Sequence, residues 1–194
     1  MSLPHMILGI LSYRGLSGYD LNKAFQASVQ HFWNTEQSQI YRALHKLHEQ
    51  GWVGIEHVAQ EDAPDKKIYH LTEQGRAELH RWIVAPQPIP TLHEGWLGQL
   101  FFGAEADVQS LQHLLEERIR VMQALIENYE TNVASGGARY AIEFDAADDL
   151  AYWMLTLDYG IQKARFDVQW AESAIRTLEQ RAKEQGVHEA SSHE

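Results

Sequence analysis

The sequence predicts a mostly α-helical chain in two parts, a group of short helices closed by a β-hairpin and a set of long antiparallel helices. Three observations carry this. Residues 1–85 alternate short apolar helical stripes with two strand-like runs, residues 107–184 repeat apolar side chains every three or four positions, and Pro86-Gln87-Pro88-Ile89-Pro90 lies between them.

Leu3, Met6, Ile7, Ile10 and Leu11 make a first helix that ends near Gly15. Ser17-Gly18-Tyr19-Asp20-Leu21 opens a second, with Leu21, Ala24 and Phe25 on its apolar side. The third occupies the stretch from Ser38 to Val53. At about 100° per residue Ile40, Leu44 and Leu47 share one stripe, Ser38, Arg42 and His45 point the opposite way, and Thr35, Gln39, Tyr41 and Lys46 flank them. Gly51 stops it. Residues 53–60 then read as a strand, Glu61-Asp62-Ala63-Pro64-Asp65 as a turn, and residues 66–71 as a second strand ending at a Thr72 N-cap. Helix, helix, helix, hairpin is a winged helix-turn-helix, in which the third helix enters the DNA major groove and the hairpin is the wing.

A further helix runs from Thr72 to about Ala85, and residues 86–95 form a Pro-rich linker that favours an extended, stiff segment. After a short apolar helix over 96–103, Leu111, Leu115, Ile119, Met122, Ile126, Tyr129 and Val133 mark a long helix from about Asp107, ended by Gly136-Gly137. A longer one spans about 146–184. Its seam includes Leu157, Ile161, Val168, Ile175 and Leu178, a stripe that a two-helix hairpin cannot cover alone, so a second copy of the chain is the expected partner. The expected organisation is a winged-helix domain over 1–85, a linker, a C-terminal long-helix antiparallel dimerisation and effector domain over 96–187, and a polar tail over 188–194.

The chain carries 16 basic and 27 acidic residues, a formal charge of −11. Its distribution matters more than its sum. Residues 1–85 hold eight cationic side chains against nine acids, so the acidity belongs to the second half, which repels non-specific DNA and leaves affinity to a small local basic surface. With no cysteine there is no disulfide framework and no thiolate metal site, which suits a reducing cytoplasm. Apolar runs are too short to span a bilayer, so a soluble cytoplasmic protein with no membrane partner is expected. No catalytic constellation, cofactor fingerprint or metal-ligand spacing occurs: His45 and His48 stand three apart without further ligands, and no Glu-x-x-His is present.

The opening Met-Ser-Leu-Pro-His-Met-Ile-Leu-Gly-Ile-Leu-Ser-Tyr, the Ser-Gly-Tyr-Asp-Leu at 17–21, Phe32-Trp33, Ser38-Gln39-Ile40-Tyr41 and Ile68-Tyr69-His70-Leu71-Thr72-Glu73-Gln74-Gly75 resemble the PadR family of bacterial transcriptional regulators. The resemblance covers about 85 residues by motif and the remainder by layout. It implies a homodimeric regulator, a repressor of a palindromic operator, whose DNA affinity a small effector lowers; phenolic acids and flat hydrophobic drugs are the classes it suggests. It places Ser38, Gln39, Tyr41, Arg42 and Lys46 on the reading helix. Gln39 and Arg42 suit base edges; Tyr41, Lys46, Tyr19, Ser17, Lys66 and Lys67 suit phosphates. The wing departs from the family pattern, carrying Glu61, Asp62 and Asp65 where a basic run is usual. In the second half Trp96, Arg118, Tyr129, Tyr152 and Trp153 are the candidate effector pocket, since aromatic walls with one cation suit a flat acid. The alternative reading is a ligand- or protein-sensing module with weak DNA affinity, suggested by the acidic wing and distal half.

Overall fold

The computed structural model describes residues 3–59, 66–91 and 93–191. Its elements run α1 (Leu3–Leu11), β1 (Leu16–Ser17), α2 (Gly18–Ala27), α3 (Gln37–Glu49), β2 (Val53–Val58), β3 (Lys66–Leu71), α4 (Glu73–Ile83), α5 (Gly95–Phe101), α6 (Val108–Asn128), α7 (Ala134–Glu143) and α8 (Leu150–Ser191). They divide into two compact units, one of Met1–Pro88 with Val133–Leu157 and the other of Ile89–Asn132 with Asp158–Glu194. No helix among the described residues is long and apolar enough to cross a membrane.

In the first unit α1 packs against α2, α3 and α4. Ile7, Leu8, Leu21, Phe25, Ile40, Leu44, Leu47 and Val53 are completely or almost completely buried and form the core. This is the apolar stripe of each short helix turned inward, as period 3.6 demands. The sheet has strand order β1-β3-β2, all antiparallel, with Val53 opposite Leu71 and Val58 opposite Lys66. Leu16 and Ser17 of β1 pair with Tyr69 and Ile68. That edge strand is too short to show a period of two, so only pairing reveals it. Gly51, at φ 73°, makes the left-handed turn between α3 and β2. The acidic wing residues Glu61, Asp62 and Asp65 lie outside the described residues.

The second half corrects the sequence reading at three places. The glycine pair at 136–137 does not end the long helix: a π-helical turn over Tyr129–Val133 leads from α6 directly into α7, and both glycines lie inside it. Continuing the helix buries Tyr140, Ala141 and Phe144, and that burial outweighs the weak helix preference of glycine. The chain reverses instead at Asp145, which has a left-handed φ of 50°. The last helix also starts later and ends later than its pattern suggests, beginning at Leu150 after a 3-10 turn over Ala147–Asp149 and continuing through the expected polar tail to Ser191.

The third correction concerns the seam. Leu157, Ala164 and Ala171 are buried within the single chain, while Ile161, Val168, Ile175 and Leu178 on the same side are half-buried, so this stripe of α8 is covered in part. In the second unit α6 and α8 run antiparallel: Arg118 pairs with Asp167 at 2.8 Å and Glu130 with Arg165 at 2.7 Å, over a fully buried Leu115. Rotating about 100° per residue, Tyr152, Leu155, Tyr159 and Phe166 fall on the opposite side of α8, where they are 61–71% exposed. The helix is apolar on two faces, and the sequence reading had marked the inner one.

Candidate nucleic-acid interface and internal cavity

On α3 the buried stripe fixes the helix's rotation, so Ser38, Gln39, Tyr41, Arg42, His45 and Lys46 are exposed together. Arg42 and Lys46 form no ion pair with another described residue. Gln39 is less available, because its side-chain carbonyl accepts from the Thr35 hydroxyl at 2.6 Å and from the Glu36 N–H at 3.5 Å, an N-terminal capping arrangement. His48, weighed with His45 as a metal ligand, instead holds the Val53 carbonyl at 2.9 Å.

Beside this face Gly18, Tyr19, Tyr41, Lys66, Lys67 and Tyr69 line a recess of about 320 Å³. Two ammonium groups and three phenols suit a phosphate. Gly18 is required here: a Cβ at that position would lie 2.4 Å from the Tyr41 ring. Lys23 stands over the Tyr19 ring at 4.6 Å, holding it in place. Lys66 is paired with Asp20 at 3.0 Å. The Asp20 carboxyl is held below the usual carboxylate range, first by the Ser17 hydroxyl and then by Lys66. Ser17 does not serve as the sequence reading expected. Its hydroxyl is buried, accepts from the Asp20 N–H at 3.1 Å and donates to the Asp20 carboxylate at 2.6 Å, so it caps α2 rather than facing outward. Tyr69 and Lys23 were missed; nothing in their local sequence pairs them with α2 and α3.

The candidate effector set does not converge. Arg118 stacks on Trp96 at 3.7 Å and is bound by Asp167 at 2.8 Å and Glu94 at 3.3 Å, so its charge is already neutralised within the second unit. Tyr129 packs on Gly160 in that unit. Tyr152 is exposed on the outer side of α8. Of the five, Trp153 lines a cavity of about 360 Å³ in the first unit, together with His5, Tyr13, His31, Trp82 and Tyr140. His5 lies parallel to Trp82 at 4.8 Å and meets the Glu78 carboxylate at 3.0 Å, which helps to hold that carboxyl below its ordinary range. Burial pushes the His31 pKa down, and its Nδ1 donates to the Ser28 carbonyl at 2.8 Å. Burial and the neighbouring Asp149 carboxylate push the Tyr13 phenol up. These residues come from α1 and the segment after it, the 3-10 turn after α2, α4, α7 and the start of α8, so no single sequence window could assemble them.

An exposed basic helix face on a helix-turn-helix, flanked by a two-stranded wing and a cationic phenolic recess, defines a winged-helix DNA-binding regulator of transcription. Residues 7–81 match the transcriptional regulator PadR-like family, and residues 94–179 match the virulence activator alpha C-terminal family. The chain is 30% identical over 182 residues to the negative transcriptional regulator PadR of Bacillus subtilis, covering 91% of this chain and 97% of that protein. It therefore belongs to the PadR-like family of transcriptional regulators. The crystal structure of Bacillus subtilis PadR in complex with operator DNA superposes with a TM-score of 0.75 at 27% identity, over 92% of this chain and 99% of that one. The same protein in complex with p-coumaric acid gives 0.72 at 26%, over the same shares. The virulence activator AphA of Vibrio cholerae gives 0.71 at 29%, over 93% and 99%.

Proposed function

We propose that the protein is a homodimeric, cytoplasmic repressor that binds a palindromic operator and is released from it by a small aromatic effector. The observation that carries the DNA half is the juxtaposition of exposed Arg42 and Lys46 on α3 with the recess of Tyr19, Tyr41, Lys66, Lys67 and Tyr69. The arginine can read a guanine edge bidentately while the recess seats a backbone phosphate. Two copies would present their α3 helices about one DNA turn, roughly 34 Å, apart. The outer apolar face of α8 supports the dimer, since Tyr152, Leu155, Tyr159 and Phe166 are largely exposed among the described residues. The effector reading rests on the aromatic cavity and on the p-coumaric acid complex of the Bacillus relative.

Repression is supported by the full-length relative described as a negative regulator. Activation is the second reading, favoured by the similarity to the Vibrio virulence activator. The test is fluorescence anisotropy with promoter fragments of the protein's own and neighbouring genes, titrated with salt, followed by a reporter assay. The expected results are sequence-specific binding that weakens steeply with salt and a promoter that is silenced by the protein. Equal binding to unrelated DNA would sink the operator reading, and a promoter switched on would replace repressor by activator.

A further inference from the structure

Four side chains share the outermost line of α3. The buried Ile40, Ala43, Leu44 and Leu47 set its inner side, and rotation of about 100° per residue brings Ser38, Arg42, His45 and Glu49 within about 30° of the opposite side. Tyr41 and Lys46 lie about 70° to either side of that line. On a helix laid in a major groove the central line meets base edges, and the flanks meet the sugar–phosphate walls. Tyr41 and Lys46 are thus placed for phosphates, whereas His45 is placed for a base. From Ser38 to Glu49 the line rises about 16 Å, the span of about five base pairs.

His45 does not stand alone on that line. The Glu49 carboxylate, one turn further on, lies 3.4 Å from its Nδ1. Both side chains are largely exposed, at 75% and 61%, so neither is committed to the core and the pair adds little to folding. A carboxylate only accepts hydrogen bonds. It therefore draws the hydrogen of the neutral ring to Nδ1 and leaves Nε2, the nitrogen further from the backbone, as an acceptor. In the major groove adenine N6 and cytosine N4 offer amino hydrogens, while guanine and thymine present carbonyl oxygens. An acceptor Nε2 bonds to the first pair and is repelled by the second.

We infer that His45 is a base-reading residue of α3, set by Glu49 to accept from an amino base, adenine or cytosine, on the contacted strand and to reject the keto bases guanine and thymine. Arg42, which only donates, reads the complementary kind of edge. Glu49 is the positioning residue of the pair and acts on the DNA through the tautomer of His45. The inference rests on the reading of α3 as the helix that enters the groove.

The test is selection of binding sites from a random DNA pool by the full-length protein at pH 8, where a free imidazole is neutral, followed by anisotropy on the selected site and its single-base variants. The parent is expected to enrich a site with a position restricted to adenine or cytosine. Guanine or thymine there should weaken binding roughly three- to tenfold, the loss of one hydrogen bond. His45→Ala should erase the discrimination at that position alone. Glu49→Ala should keep the contact but admit guanine and thymine, since the ring hydrogen is then free to move to Nε2. Neither change should lower the melting temperature, because both side chains are exposed on the helix surface. An unaltered base preference in His45→Ala overturns the inference, as does a loss of affinity that is uniform over all bases, which would make His45 a phosphate contact. A restriction that survives Glu49→Ala overturns the tautomer control. A parent protein that enriches no sequence removes the reading helix and the inference together.

Discussion

Gln39 and Arg42 both stand on the outer side of α3, yet they are not equally free to read DNA. A bidentate contact to adenine needs the Gln39 carbonyl and amide together, and the carbonyl is engaged by Thr35 and Glu36. Arg42 has no such commitment. Arg42→Ala is expected to cost about 1–3 kcal/mol of specific operator affinity at unchanged melting temperature; an unaltered binding curve from a folded variant would remove it from the interface. His31 makes a separate prediction. Burial lowers its pKa in the folded state, so below about pH 6.5 the unfolded chain binds the proton more readily. The stability that follows is complete above that pH and is lost as the pH falls through the lower folded value. Melting curves between pH 7.5 and pH 5, as a rough working range, should therefore fall less steeply in His31→Gln than in the parent. Parallel curves would clear His31 of any role. The exposure of Ser38, Arg42 and Lys46 was legible because a helical period fixes direction from three buried neighbours. The cap role of Ser17 is as local, since its partner Asp20 stands three residues on, whereas the burial of Tyr140 was not legible, because it depends on where another part of the chain arrives.

Among the elements, the three short helices and the hairpin follow from the sequence, and the glycine pair of α7 misled it. Glycine was read as a stop because it costs about 1 kcal/mol in a helix relative to alanine. Tyr140 and Phe144, a turn and two turns further on, anchor α7 in the core and hold the glycines helical. A Cβ at Gly136 would meet nothing within 4 Å. Gly136→Ala is accordingly expected to raise stability by about 0.5–1 kcal/mol, measured by chemical denaturation. A loss of stability would mean that the segment must leave the helical state to function. At Gly18 the same change has the opposite sign, since its Cβ would collide with Tyr41. Sequence alone could not separate the two glycines; only the ring packed on one of them does.

For the whole molecule, the two apolar faces of α8 separate folding from assembly. Leu157 is buried by its own chain, so Leu157→Ala should destabilise each protomer by about 2–5 kcal/mol. Tyr159→Glu combined with Phe166→Glu should leave the protomer folded and turn a dimer into a monomer by sedimentation at micromolar concentration. A dimer that survives both glutamates would place the interface elsewhere. The periodicity had identified one stripe and could not say which partner covers it, since an intramolecular helix and a second copy leave the same pattern in the sequence. Charge acts at this scale too, in a chain of net −11 that must approach a polyanion. Lys66 already holds Asp20 at 3.0 Å. A phosphate arriving there exchanges with an anion tethered to the protein, whereas at Lys67 it would displace mobile ions. The tethered carboxylate stays behind, close to the incoming phosphate, and Lys66 should therefore add less than the usual ~0.9 per contact to the salt dependence of binding. Asp20 is in this sense a built-in competitor of DNA, one that stays tethered beside Lys66 at every salt concentration while its charge is screened like any other.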